Sequence, residues 1–170
     1  MTTAVNYIVS VLTVLTQIFI IFLIWAKLVK NSAVERFVTG KVLALSFIVA
    51  LGATLGSLFY SEVAGYEPCL LCWWQRIFMF PLVFILGVAL TKKDYSVKPY
   101  IRTLTIVGAL IAGYQSLLQM GLLPSIVCPA AAVSCAQRYF LTFGYITLPL
   151  MGFTAFLLLI TISLFWKKHE

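Results

Sequence analysis

Apolar residues in this chain come in long unbroken runs, without the regular polar interruptions of a soluble fold. Five runs stand out: Tyr7–Ala26, Val42–Tyr60, Trp73–Leu90, Thr103–Leu123 and Tyr145–Trp166. Each holds 18 to 22 residues, which at ~1.5 Å per helical residue matches the ~30 Å hydrocarbon core of a bilayer. A barrel would show shorter segments of alternating hydrophobicity, so five membrane-spanning helices are predicted. The third run carries Gln75 and Arg76 in its first turn and Pro81 in its interior. Neighbouring helices can satisfy the carbonyl that proline frees, which predicts a kink and not a break. The longest connections are Asn31–Gly40, Thr91–Tyr100 and Pro124–Gly144, and only the last is long enough to carry a site of its own.

Composition agrees with this pattern. Of 170 residues 62% are hydrophobic and 10% charged, with a mean hydropathy of +1.05. Soluble domains are nearer half apolar and a quarter charged, so a soluble enzyme and a disordered chain are both excluded. The net charge of +7 would suggest nucleic acid in a soluble protein, but here its placement matters more and no nucleic-acid partner is expected. Lys27, Lys30, Arg36 and Lys41 follow the first run; Lys92, Lys93, Lys98 and Arg102 follow the third; Lys167 and Lys168 follow the fifth. Only Arg76 and Arg138 fall on the opposite side. Positive residues stay cytoplasmic, which predicts an outside N-terminus and an inside C-terminus. The first run has no basic residue before it and lacks a small-x-small cleavage site, so it reads as a retained helix and not a signal peptide.

Four cysteines then fall on the predicted exoplasmic face, where disulfides persist. Cys69 and Cys72 precede the third run, and Cys128 and Cys135 lie between the fourth and fifth. Three readings compete. Structural staples usually close longer loops than the two residues inside Cys69-Leu-Leu-Cys72. A zinc site would take two thiolates from each loop, but a C-x6-C spacing is looser than a usual knuckle. A redox relay of two disulfides fits C-x-x-C best, as the spacing of a dithiol that opens and closes. Cys72 opens a helix, where free N–H groups favour a thiolate, and Arg76 lies one turn deeper on the same face. A permanent cation at the hydrocarbon boundary is costly and points to a role with the thiolate or with a quinone oxyanion. The bland alternative for Arg76 is a snorkel to lipid phosphate.

The stretch Pro68-Cys69-Leu70-Leu71-Cys72-Trp73-Trp74-Gln75-Arg76 resembles the DsbB family of disulfide bond formation proteins. The similarity continues through Cys135-Ala136-Gln137-Arg138 and Phe143-Gly144-Tyr145-Ile146-Thr147-Leu148-Pro149-Leu150, and the short second cysteine loop is more like the BdbC branch. This resemblance implies an all-α integral membrane fold: a four-helix bundle over residues 41–170, with residues 1–40 adding an N-terminal transmembrane helix and a basic cytoplasmic loop. It implies a bacterial cell-membrane thiol:quinone oxidoreductase. Such an enzyme reoxidises a DsbA/BdbD-like thioredoxin-fold thiol oxidase and passes electrons to the quinone pool, ubiquinone or menaquinone.

By the same resemblance Cys128 exchanges with the partner, Cys135 is its mate and later pairs with Cys69, and Cys72 is the quinone-facing thiolate. Arg76 is then the quinone-binding arginine. Gln75 stands where some members carry an acidic residue. A vitamin K epoxide reductase-like enzyme is the rival enzymatic reading, and a zinc-binding or structural membrane protein the non-catalytic one.

Weaker candidates surround these. Gln115 and Gln119 share a helix face at i, i+4 and, with Tyr114, are candidates for a quinone carbonyl or for interhelical packing. Gly52 and Gly56 form G-x-x-x-G, predicting close packing inside the bundle. Gln17 predicts a helix–helix hydrogen bond. Trp73, Trp74, Tyr60 and Tyr66 read as an interfacial aromatic belt against membrane lipid, with Trp73 and Trp74 alternatively walling a quinone pocket. Arg138 is placed to act on Cys135 or on headgroups, and His169 sits in the C-terminal tail with no expected catalysis.

Overall fold

Helices form wherever the apolar runs demand that backbone groups be satisfied without water. The computed structural model describes residues 2–124, 128 and 134–166; Lys167, Lys168 and His169 lie outside the described residues. The order is α1 (Thr2–Leu28), α2 (Ser32–Gly40), α3 (Val42–Leu58) running into a π-helical turn at Phe59–Val63, α4 (Leu70–Lys92), α5 (Lys98–Gln119) and α6 (Leu148–Leu164). Among the described residues four spans are long and apolar enough to cross a bilayer, and α6 is a shorter apolar helix. This is an all-helical, multi-pass membrane bundle.

Several boundaries differ from those the apolar runs suggest, each for a local reason. Asn31–Gly40 is mostly not a loop. Asn31 caps α2, its side chain accepting from the N–H groups of Ala33 and Val34, and only Val38 of that helix is buried. A nine-residue helix with one buried position leaves little periodicity to read. The fourth run ends as helix at Gln119, because Gly121 takes a left-handed φ of +77° and turns the chain. The last helix starts at Leu148 and not at Tyr145. A reversal at Phe143 and Gly144, both at positive φ, pairs Thr142 with Ile146 and delays the helix, which then opens on Pro149. Pro81 sits inside α4 without ending it.

The bundle is apolar on both sides of its wall. Leu82, Leu86, Ile101, Phe156 and Leu159 fill the core, while Phe84 is 75% and Leu110 70% exposed. In water such a surface would aggregate; in lipid it is the solvent-matched face. Several buried hydroxyls are satisfied locally, as when Thr105, Ser116 and Thr161 donate to the carbonyl four residues earlier. Gln17 makes its helix–helix bond, donating to Thr154 Oγ1 at 3.3 Å and accepting from Tyr145 at 3.0 Å. Alternation of the helices gathers Lys27, Lys41, Lys92 and Lys98 at one end and all four cysteines at the other.

The glycines divide into two kinds. On α5, Gly108 meets Phe156 so closely that an added Cβ would lie 2.3 Å from the ring. On α3, a Cβ added at Gly52 or Gly56 would meet nothing within 4 Å. The G-x-x-x-G pair is therefore not a close-packing seam, contrary to its sequence reading; it faces open space. Gly108→Ala is expected to cost about 1–3 kcal/mol by overpacking, whereas Gly52→Ala costs nothing because alanine is the better helix former. Thermal unfolding in detergent micelles checks the contrast; equal midpoints for the two variants would contradict it.

Candidate functional site

Cys69 and Cys72 meet because of where α4 begins. Pro68 holds the preceding chain extended, and Cys69 takes the N-cap position with extended backbone (φ −72°, ψ 172°). Its carbonyl accepts from Trp73 N–H at 3.1 Å. Cys72 lies one turn into the helix, on the same face, and the two sulfurs stand 2.9 Å apart as free thiols. A disulfide needs ~2.05 Å, so a small side-chain rotation separates the reduced from the bonded pair. Cys69 is buried and holds its proton well above the ordinary thiol range, because it shares a hydrogen bond with Cys72 and is removed from water.

Gln115 on α5 holds both sulfurs. Its Nε2 donates to Cys69 Sγ at 3.0 Å and to Cys72 Sγ at 3.3 Å. Gln75 Nε2 donates to Gln115 Oε1 at 2.6 Å, which turns the amide so that its donor faces sulfur. Gly152 on α6 makes room for Gln75; a Cβ there would lie 2.8 Å from Gln75 Oε1. In this arrangement Gln115 serves the thiols directly and Gln75 acts on them through Gln115. Gln119, one turn further along α5, points elsewhere and donates to Gln137 O at 2.8 Å, in the second cysteine loop.

Arg76 does not snorkel. It is only 8% exposed, donating from Nε to Ser57 Oγ and from a terminal nitrogen to Ser57 O, both at 3.0 Å. The faces of Trp73 and Phe80 flank its guanidinium, at 5.1 and 6.0 Å. These two bonds use two of five N–H donors, and the side chain lines a cavity shared with the cysteine pair.

The second loop is fastened directly over this pair. Cys128 and Cys135 are joined by a disulfide, with Cα atoms 6.2 Å apart, and Cys135 is fully buried. Cys135, Cys69, Leu71 and Leu118 form one apolar cluster, with Cys72 and Cys128 packed against it. Tyr139 clamps the two loops together. Its hydroxyl donates to Glu67 O at 2.6 Å, and its ring stacks on Tyr66 at 4.5 Å. Burial and the nearby Glu67 push the Tyr139 phenol up, so it remains a donor at neutral pH. Arg138 donates to Gln119 O at the end of α5, a use that its position beside Cys135 did not reveal. With Cys128 and Cys135 bonded to each other, two thiols remain at this end, short of the four thiolates of the zinc alternative.

Ser57, Tyr60, Tyr66 and Tyr139 were not legible as site residues. Ser57 is one small residue in an apolar run, Tyr60 and Tyr66 read as part of an aromatic belt, and Tyr139 stands in a loop with no local pattern around it. Trp73 and Trp74 do face outward, half exposed.

The cavity measures about 590 Å³ and lies among α1, α3, α4 and α6 below the cysteine pair. Cys69, Cys72, Arg76, Gln115 and Gln119 line its polar end. Its size falls in the range of small-molecule sites, ~300–1,000 Å³.

Comparison with known proteins accords with this geometry. Residues 39–166 match the family model described as "Disulfide bond formation protein DsbB". A "Probable disulfide formation protein" of Metapseudomonas resinovorans is 38% identical over 133 residues, 77% of this chain and 92% of that protein. "Disulfide bond formation protein C" of Bacillus subtilis (strain 168) is 42% identical over 130 residues, 74% of this chain and 91% of its own length. From the same organism, "SPbeta prophage-derived disulfide bond formation protein B" is 41% identical over 129 residues, 76% and 86% of the two chains. No solved structure matches the chain. By its matched length, its helical bundle and its relatives, the chain belongs to the DsbB family of disulfide bond formation proteins and has a disulfide oxidoreductase role.

Proposed function

We propose that this protein reoxidises a thioredoxin-fold thiol oxidase on the outer face of the cell membrane and delivers the electrons to quinone. The observation that carries this reading is that the two cysteine pairs share one apolar cluster, and that the reduced pair opens on a cavity lined by a buried arginine. The gathering of lysines at the opposite end supports a cytoplasmic basic end and an outer cysteine end. Residues 41–170 form the relay bundle, and residues 1–40 are an addition to it.

The relay balances in two-electron steps. A thiolate of the partner dithiol attacks Cys128, releasing Cys135 as thiolate; the partner's second thiol resolves the mixed disulfide, leaving the partner oxidised and Cys128 and Cys135 reduced. Cys135 then attacks Cys69 in an oxidised Cys69–Cys72 pair and releases Cys72. Cys128 displaces Cys69 from Cys135, which restores the loop disulfide. The reduced Cys69 and Cys72 close to a disulfide again by giving two electrons, with two protons, to the quinone, which leaves as quinol. A thiolate is the competent nucleophile at each exchange.

Each of this chain's residues has a defined part. Gln115 stabilises negative charge on the Cys72 sulfur, Gln75 orients Gln115, and Arg76 favours negative charge developing on the acceptor oxygen. The acceptor must be more oxidising than a partner of ~−120 mV, a condition a quinone ring supplies.

The test mixes the purified protein, a reduced thioredoxin-fold oxidase and a soluble quinone, and follows quinol by ultraviolet absorbance. Quinol should form, and Cys69→Ser, Cys72→Ser, Cys128→Ser and Cys135→Ser should each abolish it; wild-type turnover in any one of them would contradict the relay. Arg76→Ala should raise the quinone KM about tenfold, a loss of about 1.4 kcal/mol, with the Cys128–Cys135 disulfide intact by thiol labelling. An unchanged KM removes Arg76 from the acceptor site. Gln115→Leu removes hydrogen bonds to a charged sulfur worth about 1.5–3 kcal/mol, so kcat should fall about ten- to a hundredfold. A kcat at the wild-type level would show that the amide does not act on the sulfurs.

A further inference from the structure

The cavity below the cysteine pair has one wall that lies outside the matched family region. That region starts at residue 39, whereas α1 ends at Leu28. α1 packs chiefly against α6 and turns Val9, Thr13 and Thr16 toward the cavity, three residues at i, i+4 and i+7 on one helix face. Opposite them stand Gly52 and Gly56 of α3, one turn apart and open to that space. Missing side chains there hold a channel open where two larger residues would fill it.

The cavity also contains unmet polar demand. Tyr60 Oη and Gln119 Oε1 are buried without a hydrogen-bond partner among the described residues, and each residue is 5% exposed. Both line the cavity toward its cysteine end. Leaving such an atom unpaired costs about 1–3 kcal/mol. A phenol can donate to a carbonyl, and an amide oxygen can accept from a hydroxyl. A ring that carries carbonyls before two-electron reduction and hydroxyls after it answers both. The rest of the lining, away from the sulfurs, is largely apolar and suits a hydrocarbon chain.

We propose that α1, together with Gly52 and Gly56, encloses the apolar chain of the acceptor, so that this additional helix selects long-chain quinones from the membrane. The proposal rests on the quinone reading above and adds a specificity element to it.

The experiment compares a long-chain isoprenyl quinone with a chainless quinone of the same ring type, using the full-length protein in detergent. Thiol-driven reduction gives the two KM values. Organic extraction of the purified protein, resolved by chain length, gives the quinone retained without turnover. Thr16→Phe and Gly52→Leu narrow the channel from its two walls; Ile21→Phe, on the outer face of α1 at 67% exposure, is the control. The expected result is a long-chain KM raised about tenfold or more in both channel variants, a chainless KM within about twofold, and loss of retained long-chain quinone. Ile21→Phe should leave all three at wild-type values. No change, or equal change for both quinones, overturns the proposal. Should Thr16→Phe fail to accumulate, Gly52→Leu decides alone, because its added atoms enter open space. A wild-type protein that reduces neither quinone defeats the acceptor reading itself, a failure distinct from a channel that does not discriminate.

Discussion

The site depends on one contact: two sulfurs 2.9 Å apart at the mouth of α4, held by a single buried amide. Gln115 faces them with its oxygen taken by Gln75, and the missing side chain at Gly152 leaves room for the Gln75 amide where it stands. Removing any part of this chain of contacts would leave a buried donor or acceptor unpaired. In a low-dielectric interior that is the costliest kind of change. The pair is therefore positioned, and needs little motion to close.

Around this contact the structure solves a problem of access. The loop disulfide must meet a soluble partner, yet Cys135 is buried in the same cluster as Cys69. The aromatic stack of Tyr60, Tyr66 and Tyr139, with the Tyr139 bond to Glu67, fastens the two loops to each other. Held together in this way, the two cysteine pairs are placed for exchange with each other, the loop disulfide with the Cys69–Cys72 pair. On the other side the same pair opens on a mostly apolar cavity continuous with the bundle interior.

Much of this was readable from residue order, for physical reasons that also mark the boundary of what was not. Bilayer thickness forces long apolar runs, so the five helices were visible; α2 was not, because nine residues with one buried side chain carry almost no periodicity. Local chemistry made Cys69, Cys72 and Arg76 stand out, since C-x-x-C and a cation one turn later are compact signals. Gln115 and Gln119 were seen as a pair on one face. In fact one turn of helix sends the first to the sulfurs and the second to the Gln137 carbonyl. Ser57, Tyr139 and the open glycines of α3 acquire meaning only through residues far away in sequence. Tertiary contact decides them, and no local pattern encodes it.

The account stands on electron exchange between the two loops, and its most direct test leaves only Cys69 and Cys135 in place. A Cys72→Ser, Cys128→Ser double variant, oxidised in membranes and digested without reduction, is read by mass spectrometry. The account predicts a cross-linked peptide joining Cys69 to Cys135 in most of the protein. Recovery of both residues as separately alkylated free thiols would contradict it.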